Sequence, residues 1–415
     1  MHIGTSKGDN PLGMGGLCDG KGGFEVTTFS EQFGFDRSEV NLANWLESPY
    51  SSWSFQNVPE IVPTAVIDGP GTSALPRAID DTFLDQTFDD ELPEKRRDYL
   101  DCTFTDAFLV VNKGKLISEY YREPMNESTR HLVFSVSKSI TALLTGIVID
   151  KYGLDVTKTV SHYLHNAKGS AYEDATIQDV LDMLVSVQFI EDYTLKAGVY
   201  ARYRRAMLFM PPSKDELLPK EHLGEFLFTL PKASGDHGKV FAYQSPNTDV
   251  LGMILEKVTQ TRFPTLLSEL LWKPLGARSA TVTVDGIGQS RTAGGIACAA
   301  HDLALLGELF RNLGFANGQQ IVPEKWLQDT RDNGNSQAWN VGDFETLFDH
   351  GRYRNKWYAD GDGAYCGIGI HGQWMYVDPA SESVIVKMSC QPVASDDELD
   401  TRILVFMRDI AASLR

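Results

Sequence analysis

Residues 134–150 read FSVSKSITALLTGIVID, two serines ahead of a lysine that leads into an apolar run. Helical spacing puts positions i and i+3 on one side, so Ser135 and Lys138 can touch while Ser137 points elsewhere. Gly153 follows as a C-terminal stop, which predicts a helix over about 135–152. If Ser135 opens that helix, its N–H lies among unpaired backbone donors at the positive end of the helix dipole. Such a donor suits one half of an oxyanion hole. A lysine buried in the first turn loses hydration, its pKa falls, and it can serve as base to a hydroxyl nucleophile. Spacing alone weighs little, since composition yields a Ser-x-x-Lys roughly once in a chain of this size. A serine cap beside a solvated lysine is the bland alternative. Placement favours chemistry, because burying a lysine at the head of so apolar a helix is costly.

Outward from this helix the pattern changes on both sides. TDAFLVV and LISEYYRE flank the turn NKGK, a hairpin signal over about 105–121. Strand patterns return near 365–390 in GIGIHGQWMYV and SVIVKMS, joined by DPAS, and a last helix spans LDTRILVFMRDIAASL. Between them the reading is mostly helical: Thr176 opens one helix, residues 246–272 form a long helical stretch, Asp302 caps DLALLGELF, and Pro323 starts another. Strands at both ends with helices between predict an α+β fold, an antiparallel sheet flanked by helices with a mostly helical domain inserted. The expected domains are an N-terminal extension over 1–100, an α/β domain from 101–154 and 290–415, and a helical domain over 155–289. The extension reads as an arm anchored by Trp45, Trp53 and Phe55. No internal repeat is visible.

Composition narrows the partners. The chain of 415 residues carries 38 Lys and Arg against 56 Asp and Glu, a formal net charge of −18. A phosphate backbone would be repelled, so nucleic acid is not expected. No run is apolar for the length of a membrane span, and the first residues lack the apolar core of a secretory signal, so the expectation is a cytoplasmic enzyme. Cys18, Cys102, Cys298, Cys366 and Cys390 are scattered without CxxC spacing and read as free thiols. No metal and no cofactor are called for. The glycines of GLCDGKGG lack the P-loop register and read as a flexible terminus. A homodimer is left open.

The chain resembles the serine β-lactamase and penicillin-recognising superfamily (class C-like), and within it the class C-type carboxylesterases and nylon-oligomer (6-aminohexanoate-oligomer) hydrolases. The resemblance rests on TDAFLVV, HLVFSVSKS, VLDML, EDY, FAYQSPNTDVLG, TVTVD, GGIAC, HDLALLG, GIGIHGQ and DPASESVIVKMS, spread from about residue 100 to 390. It implies a β-lactamase-like fold and catalytic roles for Ser135, Lys138 and Tyr243, with Tyr243 drawn toward phenolate by the lysine and sharing a proton with it. It also implies an oxyanion hole from the N–H groups of Ser135 and Ile370. Tyr193 would hydrogen-bond the nitrogen of an amide leaving group, Trp357 would wall the acyl pocket, and His371 would line the site, a solvent-facing strand histidine being the alternative. The chain departs from the pattern in three places. Tyr-x-Asn is absent, since Asn247 lies four residues past Tyr243; no Lys-Thr-Gly exists, GIGIHGQ standing in its place; and ARYRRAMLF lacks an acidic residue. Arg202, Arg204 and Arg205 there could greet a carboxylate or form a solvated basic cluster. The expected activity is hydrolysis of carboxylic esters and/or linear amides, of the 6-aminohexanoate-oligomer type, through an acyl-enzyme on Ser135. The competing readings are a β-lactamase, a D-aminopeptidase or DD-peptidase, and a catalytically silent ligand-binding sensor.

Overall fold

The structure, a computed structural model, describes residues 27–88, 93–213 and 221–415; Cys18 and the GLCDGKGG segment lie outside them. Its frame is a seven-stranded antiparallel sheet. The strands are β1 (Thr105–Asn112), β2 (Lys115–Tyr121), β3 (Arg352–Arg354), β4 (Trp357–Ala359), β5 (Tyr365–Gly369), β6 (Gln373–Asp378) and β7 (Ser383–Ser389). They lie in the order β3-β4-β5-β6-β7-β1-β2, so the two ends of the chain meet where β7 pairs with β1. Lys113 and Gly114, both at positive φ, make the tight turn of the β1–β2 hairpin that NKGK predicts.

Pleating sends alternate residues to opposite faces. Leu109 and Val111 of β1 join the core beneath α1 (Val136–Tyr152) and α4 (Ala300–Arg311), while Phe108 and Val110 join Phe406, Met407 and Ile410 of α5 (Asp397–Ser413). Helix α1 is buried on all sides from Val136 to Val148, as a helix apolar all round must be. It ends at Gly153, whose φ of 71° is the left-handed stop that a residue without Cβ adopts most readily. Helices α2 (Gly198–Ala206) and α3 (Pro246–Thr259) lie in the inserted region.

Four features differ from the sequence reading. A second sheet of four short antiparallel strands joins Thr64–Pro70, Arg278–Thr283, Ile296–Ala299 and Arg130–Leu132, in that order. The N-terminal arm thus contributes a strand as well as buried anchors at Trp45, Trp53 and Phe55. The stretch 246–272 is broken: α3 ends at Gln260 in the left-handed region, and a new segment starts at Phe263. Asp302 does not cap its helix. It lies within the first turn of α4 and accepts the Arg278 N–H at 3.1 Å instead.

Candidate active site

Ser135 stands at the N-cap of α1 and is buried, with its backbone already helical. One turn on, Lys138 is 1% exposed and its Nζ donates to Ser135 Oγ at 2.6 Å and to the Ala293 carbonyl at 2.9 Å. The Ala293 carbonyl is itself fixed. Asp249 on α3 accepts the Ala293 N–H at 2.9 Å and is ion-paired with Arg291. Burial pulls the Lys138 ammonium down to about 7, Glu191 and Asp249 raise it, and Arg291 lowers it further. Ser137, by contrast, turns away and accepts the Ile296 N–H at 3.1 Å.

Tyr243 approaches from the inserted region, and Lys138 Nζ sits 4.8 Å from the centroid of its ring. Burial pushes its phenol up, and Glu191 pushes the same way; the Ser135 and Tyr358 hydroxyls act on it as hydrogen-bond partners and only partly offset this. The resting phenolate drawn from the resemblance is therefore disfavoured. Desolvation acts on both groups at once and leaves a neutral phenol beside a lysine of depressed pKa. Ser135 Oγ, rather than a direct Lys138–Tyr243 hydrogen bond, links the two.

The end of β5 passes directly over the head of α1. A Cβ on Gly369 would come within 2.7 Å of the Val133 carbonyl and 3.0 Å of the Ser135 nitrogen, so only glycine permits this approach. It sets the backbone of Ile370 beside that of Ser135. Among the described residues neither N–H has a backbone acceptor. Each donor adjoins a residue in the left-handed region, Phe134 with φ of 42° and His371 with φ of 61°. Such strain persists only where the surroundings enforce it. Here the Phe134 and His371 rings pack 5.3 Å apart, and Phe55 of the arm packs on both.

Two cavities meet at Ser135, Tyr193 and Ile370. The larger, about 250 Å³, is lined by Leu46, Phe134, Arg204, Met207 and Phe209 among others. The smaller, about 50 Å³, is lined by Tyr243, Phe344, Tyr358, Ile368 and Asp400 among others. Tyr193 borders both and donates its hydroxyl to Glu191 at 2.9 Å. His371 lines the larger cavity from a turn, buried, with Nδ1 2.7 Å from the Gln391 carbonyl; burial draws its pKa down to about 4. Trp357 lines neither. It stacks on Phe310 with centroids 3.9 Å apart, and the next residue, Tyr358, faces the site. Along a strand adjacent side chains take opposite faces, so the acyl-pocket wall proposed at 357 is corrected. Asn247 is buried with Nδ2 toward the Met183 sulfur. Ser245, two residues after Tyr243, takes the place of the asparagine in Tyr-x-Asn, its N–H and hydroxyl both held by Glu191. The three arginines part ways: Arg202 pairs with Glu221, Arg205 turns to the Met210 sulfur, and Arg204 faces the larger cavity.

Glu191, Ser245, Asp249, Arg291 and Tyr358 were not singled out from sequence. An acid in the otherwise uncharged PNTDVLGMIL and a Tyr-x-Ser in place of Tyr-x-Asn were the available signals. The wall from Leu46 and Glu47 had none, because the arm reaches the site only through the fold.

A model of the family described as Beta-lactamase matches residues 103–406. The chain belongs to the β-lactamase family. It is therefore a hydrolase, serine-type by that membership. Over 359 residues it is 36% identical to 6-aminohexanoate-dimer hydrolase of Paenarthrobacter ureafaciens, a match covering 85% of this chain and 89% of that one. A solved structure from Bacillus anthracis, provisionally named a 6-aminohexanoate-dimer hydrolase, superposes with a TM-score of 0.83 at 26% identity, covering 91% of this chain and 98% of that one. The fold is shared also with EstCE1, a hydrolase with promiscuous acyltransferase activity: TM-score 0.57, 17% identity, 75% of this chain and 96% of that one. No helix among the described residues is long and apolar enough to cross a membrane, and no cluster of metal-ligating side chains occurs among them.

Proposed function

We propose that this family member cleaves carboxylic esters and linear amides through an acyl-enzyme on Ser135. The observation that carries the reading is the 2.6 Å contact between Lys138 Nζ and Ser135 Oγ, with burial drawing the ammonium down to about 7. Near neutral pH a substantial fraction of the lysine is the free amine, able to take the serine proton as Oγ attacks the carbonyl. The oxyanion that forms is met by the N–H groups of Ser135 and Ile370. Lys138 is then an ammonium beside the Tyr243 ring, and only at this stage does its charge favour loss of the phenol proton. Tyr243 gives that proton to the leaving group. Water then hydrolyses the acyl-enzyme by the reverse route.

A donor to the leaving group must stand beside it. Tyr243 borders only the smaller cavity, which puts the leaving group there and the acyl chain in the larger one. In this reading Tyr193, on the border of both cavities, assists an amide nitrogen, which leaves only after gaining a proton. Efficient β-lactam turnover is not expected. In the place of Lys-Thr-Gly the chain carries GIGIHGQ, whose histidine is held neutral by burial, so this segment has no cation of its own to offer the drug carboxylate.

Initial rates with 4-nitrophenyl butyrate, hexanoyl 4-nitroanilide and nitrocefin, on the wild type and on Ser135→Ala, test this. Ester and anilide turnover disappear in the variant and exceed nitrocefin turnover in the wild type. Wild-type rates in Ser135→Ala would refute the assignment.

A further inference from the structure

Resting on the division of the two cavities just proposed, the side chain of Arg204 carries a finer conclusion. It comes from α2 into the wall of the larger cavity and is only partly exposed. Burial is the largest influence on its guanidinium, working against the charge, and Tyr200 and Glu47 offset it only in part without bonding to it. A guanidinium has five donors and seeks acceptors, yet among the described residues Arg204 makes no hydrogen bond and no ion pair. Its neighbours on the helix are supplied: Arg202 donates to Glu221, and Arg205 reaches the Met210 sulfur. The other cations of the cavity are supplied too. Arg291 is paired with buried Asp249, and Lys196 lies 3.2 Å from Glu47. Glu191, the remaining acid in that wall, is taken up by Tyr193 and Ser245. His371 adds no competing charge at neutral pH. Apolar surface from Leu46, Met207 and Phe209 lies around the same space.

We propose that Arg204 is a specificity residue that receives a carboxylate at the far end of the acyl chain, so that the preferred substrates are half-esters or half-amides of short dicarboxylic acids. The planar fork of the guanidinium matches a carboxylate through two parallel hydrogen bonds. A cavity with apolar walls strengthens that pair relative to water. An acyl chain ending in an ammonium, as in an amine-ended oligomer, meets a like charge at the same place.

The test compares kcat/KM for three 4-nitrophenyl esters: the adipate half-ester, the neutral hexanoate and the 6-aminohexanoate. In the wild type the adipate half-ester is the best of the three and the 6-aminohexanoate the worst. Arg204→Gln lowers the adipate rate at least tenfold more than the hexanoate rate, and Arg204→Glu reverses the order of the two charged esters. An adipate half-ester no better than 6-aminohexanoate in the wild type, or an Arg204→Gln loss shared equally by all three, overturns the proposal. Binding separates this conclusion from the serine mechanism. Free adipate should bind Ser135→Ala protein by calorimetry more tightly than 1,6-diaminohexane, and lose that advantage when Arg204→Gln is added. If the esters are not turned over but this binding difference persists, the mechanism has failed and the anion site stands. If turnover requires Ser135 but the binding difference is missing, the anion site has failed.

Discussion

The pH dependence of ester hydrolysis follows from the surroundings of Lys138. The active form of the base is the free amine, and burial disfavours the ammonium, drawing its pKa to about 7. Activity is then complete above that value and lost as pH falls through it. By the titration curve about half the sites are competent at pH 7 and about one tenth at pH 6, after which kcat/KM falls about tenfold per unit. A profile with 4-nitrophenyl butyrate from pH 5.5 to 8.5, read at the isosbestic wavelength of the nitrophenol, measures this limb. Two other groups at the site need separating from it. His371 is held near 4 and titrates outside the limb. Asp400, which borders the smaller cavity, is raised to about 7, by burial first and then by Asp397 and Asp396. Asp400→Asn therefore keeps the limb if Lys138 is the base. Glu191 is the largest influence raising Lys138 against its burial, so Glu191→Gln moves the midpoint to lower pH. A flat profile between pH 6 and 8, or a limb that vanishes in Asp400→Asn and persists unmoved in Glu191→Gln, refutes the reasoning.

Three further outcomes are expected. Gly369→Ala forces β5 off the head of α1, since the added carbon would lie 2.7 Å from the Val133 carbonyl; losing one oxyanion donor costs ~100-fold or more in kcat, and rates within threefold of wild type would contradict it. Tyr193→Phe slows hexanoyl 4-nitroanilide ~100-fold, in the range of general acid catalysis, and esters by far less; equal losses remove its role at the nitrogen. Trp357→Ala, deleting a buried ring stacked on Phe310, destabilises the fold by about 3–5 kcal/mol in denaturant unfolding, while the KM of the folded protein stays put; a large rise in KM would return Trp357 to the site.

Local signals carried the parts of this molecule that are local. The apolar run with Gly153 specified α1 to within a residue, NKGK specified the hairpin, and the i, i+3 spacing paired Ser135 with Lys138. Tyr243 is over a hundred residues away and was reached only through family resemblance. The second sheet escaped notice because its strands are short, between three and seven residues, and come from three distant parts of the chain. Trp357 was misplaced because the resemblance matched one aromatic in a Trp-Tyr pair, and which of the two neighbours faces the site is decided by the strand's pleat, where Tyr358 lines the smaller cavity and Trp357 stacks on Phe310. The charge state of Tyr243 was misread for a different reason. A nearby lysine was counted, whereas the desolvation that acts on both groups depends on burial and appears only in the fold.

The central claim is a covalent bond to one oxygen atom. Treating the protein with a fluorophosphonate and mapping the adduct by peptide mass spectrometry tests it directly: one phosphonyl group per chain, on the peptide containing Ser135, with ester hydrolysis falling in step and no labelling of Ser135→Ala. An adduct on another residue, or a Ser135→Ala protein labelled as fast as wild type, would contradict it.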